Sequence, residues 1–86
     1  VVLSNVRLDR REVLVKAESG DIFTGLLKFG AIIGDYAEIG CNSVISPGSI
    51  IGRRSVIYPL THFCGVLESD QLLKSRQTQQ VVSRKA

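Results

Sequence analysis

The chain has 86 residues, a formal net charge of +3, and 44% hydrophobic and 22% charged residues, a composition that allows one small domain with a limited core. No apolar run approaches the roughly 18 residues a membrane span needs, and Val1-Val2-Leu3-Ser4-Asn5 has neither the basic start nor the apolar stretch of a secretory leader. The mild positive charge falls short of the concentrated basic patch that nucleic-acid binding requires, so neither nucleic acid nor a membrane is an expected partner.

The absence of methionine leads to the expectation that this is the tail of a longer protein. Residues 1–24 read as a β-hairpin cap. Val6-Arg7-Leu8 alternates, Val13-Leu14-Val15-Lys16-Ala17 is rich in β-branched residues, and Asp9-Arg10-Arg11-Glu12 is the polar turn between them. Glu18-Ser19-Gly20-Asp21 is a second turn signal, after which Ile22-Phe23-Thr24 leads onward.

Residues 25–67 carry the strongest pattern. Ile33, Ile39, Ile45, Ile51, Ile57 and Phe63 fall six apart, and Leu27 extends the register upstream. Two places before each of the six stands a small residue: Ala31, Ala37, Ser43, Ser49, Ser55 and Thr61. Gly34, Gly40 and Gly52 directly follow three of them. A period of six is neither the 3.6 of a helix nor the alternation of a flat strand. It is the signature of a single-stranded parallel β-helix, an all-β fold of about two to three coils here. Three hexapeptides make one triangular coil, so 27–44 and 45–62 are expected to be two full turns, with a third begun at Phe63. Each six-step residue should point inward and stack on its equivalents one coil away, at roughly 4.8 Å. The small residue two places earlier also faces inward, where the triangle leaves little room. Glycine, Ser46-Pro47-Gly48 and Tyr58-Pro59 suit the bends between flat faces.

Residues 68–86 read as a polar, mildly basic carboxy-terminal extension. A helix there would align Leu72, Arg76 and Gln80, which is no apolar stripe, so short extended segments that cross a neighbouring chain are expected. The end should fray after Arg84. A stack of two coils leaves both ends open, and repeat arrays need caps. The hairpin is expected to close one end, and lateral packing of the flat faces of a triangular prism points to a homotrimer. Cys41 and Cys64 match neither a disulfide staple nor a zinc site. They are expected to be reduced, half-buried thiols of a cytoplasmic protein.

The run Leu27 to Val66 resembles the left-handed parallel β-helix, or hexapeptide-repeat, family, which includes many acyl- and acetyltransferases. A narrower likeness lies in Thr24-Gly25-Leu26-Leu27-Lys28-Phe29-Gly30-Ala31-Ile32-Ile33-Gly34-Asp35 and in Ile39-Gly40-Cys41-Asn42-Ser43-Val44-Ile45-Ser46-Pro47-Gly48. These runs look like the carboxy-terminal domain of UDP-N-acetylglucosamine pyrophosphorylase-like sugar-phosphate nucleotidylyltransferases. The resemblance implies a left-handed coil and two alternative roles. One is a domain that transfers acetyl from acetyl-CoA to a sugar in a sugar-nucleotide pathway. The other is a non-catalytic trimerisation domain whose enzymatic domain lies in other sequence. The glycine-rich loop of the nucleotidyltransferase itself is absent from this chain.

His62 is the single histidine and the candidate general base, since amine acetylation commonly uses one. It precedes the inward Phe63, so its side chain should face outward toward a groove between subunits. The alternative is a surface or interface histidine. Asn42 and Tyr36, with Asp35, are candidates for sugar contact, against the alternative that Asn42 and Asp35 serve turns and Tyr36 packs on a face. Arg53 and Arg54, with Lys74, Arg76, Arg84 and Lys85, are candidates for the phosphates of coenzyme A, against a solvated charged surface. No tightly bound cofactor is expected; acetyl-CoA would be a co-substrate, and a sugar phosphate or acyl-CoA the small-molecule partner. No metal site is expected, because a zinc centre on this fold would need three histidines.

Overall fold

The structure, a computed structural model, describes residues 1–17, 19–75 and 78–84. The described residues form strands and turns, with no helix among them. In chain order the strands are β1 (Val2–Leu3), β2 (Leu14–Ala17), β3 (Gly20–Phe23), β4 (Ile32–Ile33), β5 (Glu38–Ile39), β6 (Val44–Ile45), β7 (Ile50–Ile51), β8 (Val56–Ile57), β9 (His62–Phe63), β10 (Val66–Leu67) and β11 (Leu72–Leu73). From β4 onward the chain visits three parallel sheets in rotation, ordered β4-β7-β10, β5-β8-β11 and β1-β6-β9.

The six-residue ladder explains this course. Ile33 lies over Ile51 and Leu67, Ile39 over Ile57 and Leu73, and Leu3 over Ile45 and Phe63. Ile45, Ile51 and Ile57 are at most 1% exposed and form the core, with Ala31, Ala37, Ile39, Phe63, Leu67 and Leu73 packed against it. The first residue of each two-residue strand faces outward and the second inward, as strand alternation requires.

The small inward residues do more than fit. Ser43, Ser49 and Ser55 are fully buried, yet each is hydrogen-bonded in two directions. Ser43 Oγ donates to the Tyr58 carbonyl (3.1 Å) and accepts from the Thr61 N–H (3.2 Å). Ser49 Oγ donates to the Ser46 carbonyl (2.8 Å) and accepts from the Gly65 N–H (3.3 Å). Ser55 Oγ donates to the Glu68 carbonyl (2.6 Å) and accepts from the Gln71 N–H (3.4 Å). These hydroxyls satisfy corner peptide groups that the short strands leave over. An Ser55→Ala chain is therefore expected to lose about 1–3 kcal/mol, the cost of stranding buried polar groups, read as a lower urea midpoint.

Four details differ from the sequence reading. Leu27 does not extend the ladder: it is exposed, and Leu3 occupies the place over Ile45. Residues 4–31 are an excursion between β1 and the continuous repeat. The hairpin joins β2 to β3, pairing Leu14 with Phe23 and Ala17 with Gly20, instead of closing on residues 9–12. Gly20, at φ +120°, opens β3 opposite Ala17 in a conformation that glycine readily adopts. The Asp9–Glu12 stretch is satisfied locally by Arg10 N–H to the Arg7 carbonyl (3.1 Å) and Arg11 N–H to Asp9 (3.1 Å), while Val6 bridges to Lys28.

Third, the hairpin packs against the side of the stack. Val13 and Val15 are buried, and the Leu14 carbonyl and Val13 side chain press on Gly48 at the corner between β6 and β7. Fourth, the stack runs on past residue 67. Ile33 pairs with Ile51, 18 residues later, but Ile51 pairs with Leu67, only 16 later. The corner between β9 and β10 is Cys64-Gly65, two residues shorter than Ser46-Pro47-Gly48-Ser49 between β6 and β7. That shift in phase hid Leu67 and Leu73 from a strict period of six. At Leu72–Leu73 the expected extended segment is strand β11; Arg76 lies outside the described residues, as do Glu18 and Lys85.

Candidate functional site

The corners decide where the candidate side chains go. Tyr36, Asn42, Arg54, Leu60 and Asp70 all have φ between 56° and 60°, the left-handed region that turns the chain from one face to the next. Tyr36, Arg54 and Asp70 stack on one corner, where Arg54 N–H donates to the Asp35 carbonyl and Asp70 N–H to the Arg53 carbonyl, both at 2.9 Å. Asn42 is on the next corner, where Leu60 N–H donates to the Cys41 carbonyl (3.0 Å). Asn42 and Tyr36 therefore do not meet within one chain. Both are exposed turn residues, Tyr36 at 80%.

Arg53 and Arg54 are exposed on the Tyr36 corner. Arg54 is tied to Asp70, Nε to Oδ1 at 2.9 Å and Nη2 to Oδ2 at 3.1 Å. Arg53 forms no ion pair with any described residue. Lys74 lies over the Tyr58 ring at 5.8 Å, a cation–π contact. Cys41 and Cys64 are free and exposed, not half-buried, because both fall in corners.

His62 lies at the outer surface of its sheet, exposed as its place in the alternation requires. Its ladder partner is Val44, and Ser46, the first residue of the corner that follows that strand, is on the same side. The diagonal distance is within reach of a long side chain: His62 Nε2 and Ser46 Oγ are 2.7 Å apart. Both line an open cleft of about 1120 Å³ between the stack and the hairpin. Pro47, Gly48, Cys64 and Gly65 line the stack side; Val6, Leu14, Lys16 and Asp21 are among the residues opposite. The short Cys64-Gly65 corner draws the chain back and brings Cys64 into this cleft.

Arg7 and Asp9, also in the cleft, pair at 2.5 Å, and Arg7 additionally donates to the Glu12 carbonyl (3.3 Å). The Arg11 backbone N–H, with help from Arg7, holds the Asp9 carboxyl below its usual range. No group of three or more His, Cys, Asp or Glu side chains among the described residues is placed to hold a metal ion. No helix among them is long and apolar enough to cross a membrane.

Residues 30–65 match the bacterial transferase hexapeptide family, described as six repeats. This is a hexapeptide-repeat segment. The chain is 40% identical over 58 residues to a bifunctional sugar-1-phosphate nucleotidylyltransferase/acetyltransferase of Sulfurisphaera tokodaii, a match covering 67% of this chain and 14% of that protein. It is 39% identical over 56 residues to proteins named as the uncharacterized acetyltransferase YaiX in two Escherichia coli strains, K12 and O6:K15:H31. Each of those matches covers 65% of this chain and 24% of the relative. The chain thus spans a small part of the relatives it matches.

The hexapeptide-repeat segment carries one pair that sequence reasoning missed. Ser46 reads as a bend residue beside Pro47, and its relation to His62 depends on the offset of one coil. Adding 18 to Val44 gives His62, so the pairing was available once the coil length was applied to outward residues as well as inward ones.

Proposed function

We propose that this chain is the hexapeptide-repeat domain of a sugar-nucleotide pathway transferase, with any nucleotidyl transfer carried out by other sequence of a longer protein. The reading includes a left-handed coil of two to three turns, a homotrimer, a cytoplasmic setting and acetyl-CoA as acyl donor. The observation that carries it is the in-register aliphatic ladder running through residues 30–65, which match the hexapeptide family, in a chain 40% identical over 58 residues to a protein named for both activities. His62 is the base that takes a proton from the acceptor, since it is exposed in the cleft. Arg53, free of ion pairing to the described residues, is the better placed of the two arginines for a coenzyme A phosphate, and Tyr36 on the same corner would lie beside it; Asn42 on the next corner would contact sugar only together with a neighbouring chain.

A second reading, a trimerisation module without chemistry of its own, draws support from the β4-β7-β10 sheet. Its outward side chains are Ile32, Ile50 and Val66, an unbroken aliphatic column with Ile32 48% and Val66 41% exposed. Such a column suits association of copies. Isothermal titration with acetyl-CoA, run alongside sedimentation equilibrium, separates the two. Micromolar binding that weakens in Arg53→Ala is expected on the transferase reading. Silence from a protein of trimeric mass supports the module, and a monomeric mass removes the trimer.

A further inference from the structure

We propose that Ser46 and His62 form a nucleophile–base pair that accepts an acyl group from an activated ester or thioester onto Ser46 Oγ. The inference rests on the reading of His62 as a base facing an acyl donor, and adds a covalent intermediate to it. Three observations carry it. The two side chains are 2.7 Å apart, within the reach that activates a serine hydroxyl. Ser46 is held on both sides of its Cα: its N–H donates to the Phe63 carbonyl (2.9 Å) and its carbonyl accepts from Ser49 Oγ (2.8 Å). A nucleophile anchored on a rigid strand end loses little orientational freedom on reaction. Finally, both groups open onto a cleft roomy enough for a donor and an acceptor, with the hairpin as its far wall.

The chemistry follows from the geometry. Ser46 Oγ attacks the carbonyl carbon of the ester, its proton passes to His62 Nε2, and the carbonyl oxygen takes the negative charge. Collapse of the tetrahedral intermediate expels the alcohol or thiol, which leaves with the proton from Nε2, and the acyl group stays on Ser46 as an ester. Water or an amine in the cleft then attacks that ester, giving its proton to Nε2, and Ser46 recovers its hydroxyl. For Oγ to donate, Nε2 must be the acceptor, so the neutral ring carries its proton on Nδ1.

The test uses p-nitrophenyl acetate as the probe and mass spectrometry of the intact chain and its peptides. One acetyl group on Ser46 is expected, absent in Ser46→Ala, retained in Ser46→Cys, and formed about 100-fold more slowly in His62→Gln. Because His62 is the single histidine, NMR of the ring nitrogens reports it without overlap. The Nδ1–H tautomer is expected in the wild type and should be lost in Ser46→Ala. No acetyl on Ser46, acetylation of lysines alone, an unchanged rate in His62→Gln, or an Nε2–H tautomer in the wild type would each overturn the proposal. Acetylation of Ser46 together with silence toward acetyl-CoA would leave the pair standing and remove the acetyl-CoA reading.

Discussion

An Ile51→Ala chain is expected to lose about 2–5 kcal/mol of folding stability. Ile51 is on the middle strand of its sheet, stacked between Ile33 and Leu67, and is 1% exposed. Its strand is held by parallel pairing on both sides, so the stack has little freedom to collapse into the space left behind. A domain of this size has a total stability on the order of 4–13 kcal/mol, so the loss is a large share of the whole. Urea denaturation should show a much lower midpoint with an unchanged slope. Ile33→Ala supplies the contrast, because Ile33 is on an end strand and 39% exposed. It should cost clearly less. Equal losses at the two positions would mean that the aliphatic column is not the organising core.

Gly48→Ala is the second large effect. Gly48 has φ +79°, where a side chain costs about 1–2 kcal/mol. A methyl group there would also run into the Leu14 carbonyl oxygen and lie 3.2 Å from Val13 Cγ1. The backbone at this corner cannot recede, because the Gly48 N–H donates to the Gly30 carbonyl at 2.7 Å. The hairpin must therefore move, exposing Val13 and Val15, each of which contributes about 1.5–3 kcal/mol when fully buried. The expected result is a loss of about 3 kcal/mol or more, with amide exchange at residues 13–15 rising well before exchange at Ile45, Ile51 and Ile57. Gly65→Ala isolates the backbone contribution. Gly65 also has positive φ, +117°, but an added methyl meets nothing within 4 Å, so it should show only the smaller conformational cost. Matching losses at both glycines would show that the hairpin is not seated on Gly48.

The ladder was legible because six-step spacing is a property of neighbouring sequence: Ile33 to Phe63 can be read by counting. Its ends were not. Leu3 joins the ladder after a detour that no local count can span, and Leu67 and Leu73 follow a corner shortened to Cys64-Gly65. Composition predicts a hairpin but not which strands it joins. Residues 9–12 and 18–21 are equally good turn signals on composition, and burial of Val13 and Val15 against Gly48 decides between them. In the sequence the serines register only as small, because their roles as donors and acceptors between coils depend on neighbouring corners. At the candidate site the outward direction of His62 followed from alternation. Its partner Ser46 required three-dimensional register, and the wall opposite required the hairpin's true position.

The abbreviated turn at Cys64-Gly65 gives the molecule two clocks: one winding repeats every 18 residues and the next every 16. The count can be changed at that place without touching the interior, since Phe63 and Leu67 on either side already satisfy their neighbours above. Lengthening the link by two residues should thus be absorbed as a surface bulge that fills the mouth beside His62. A single residue added inside β6, β7 or β8 would instead turn Ile45, Ile51 or Ile57 out into water.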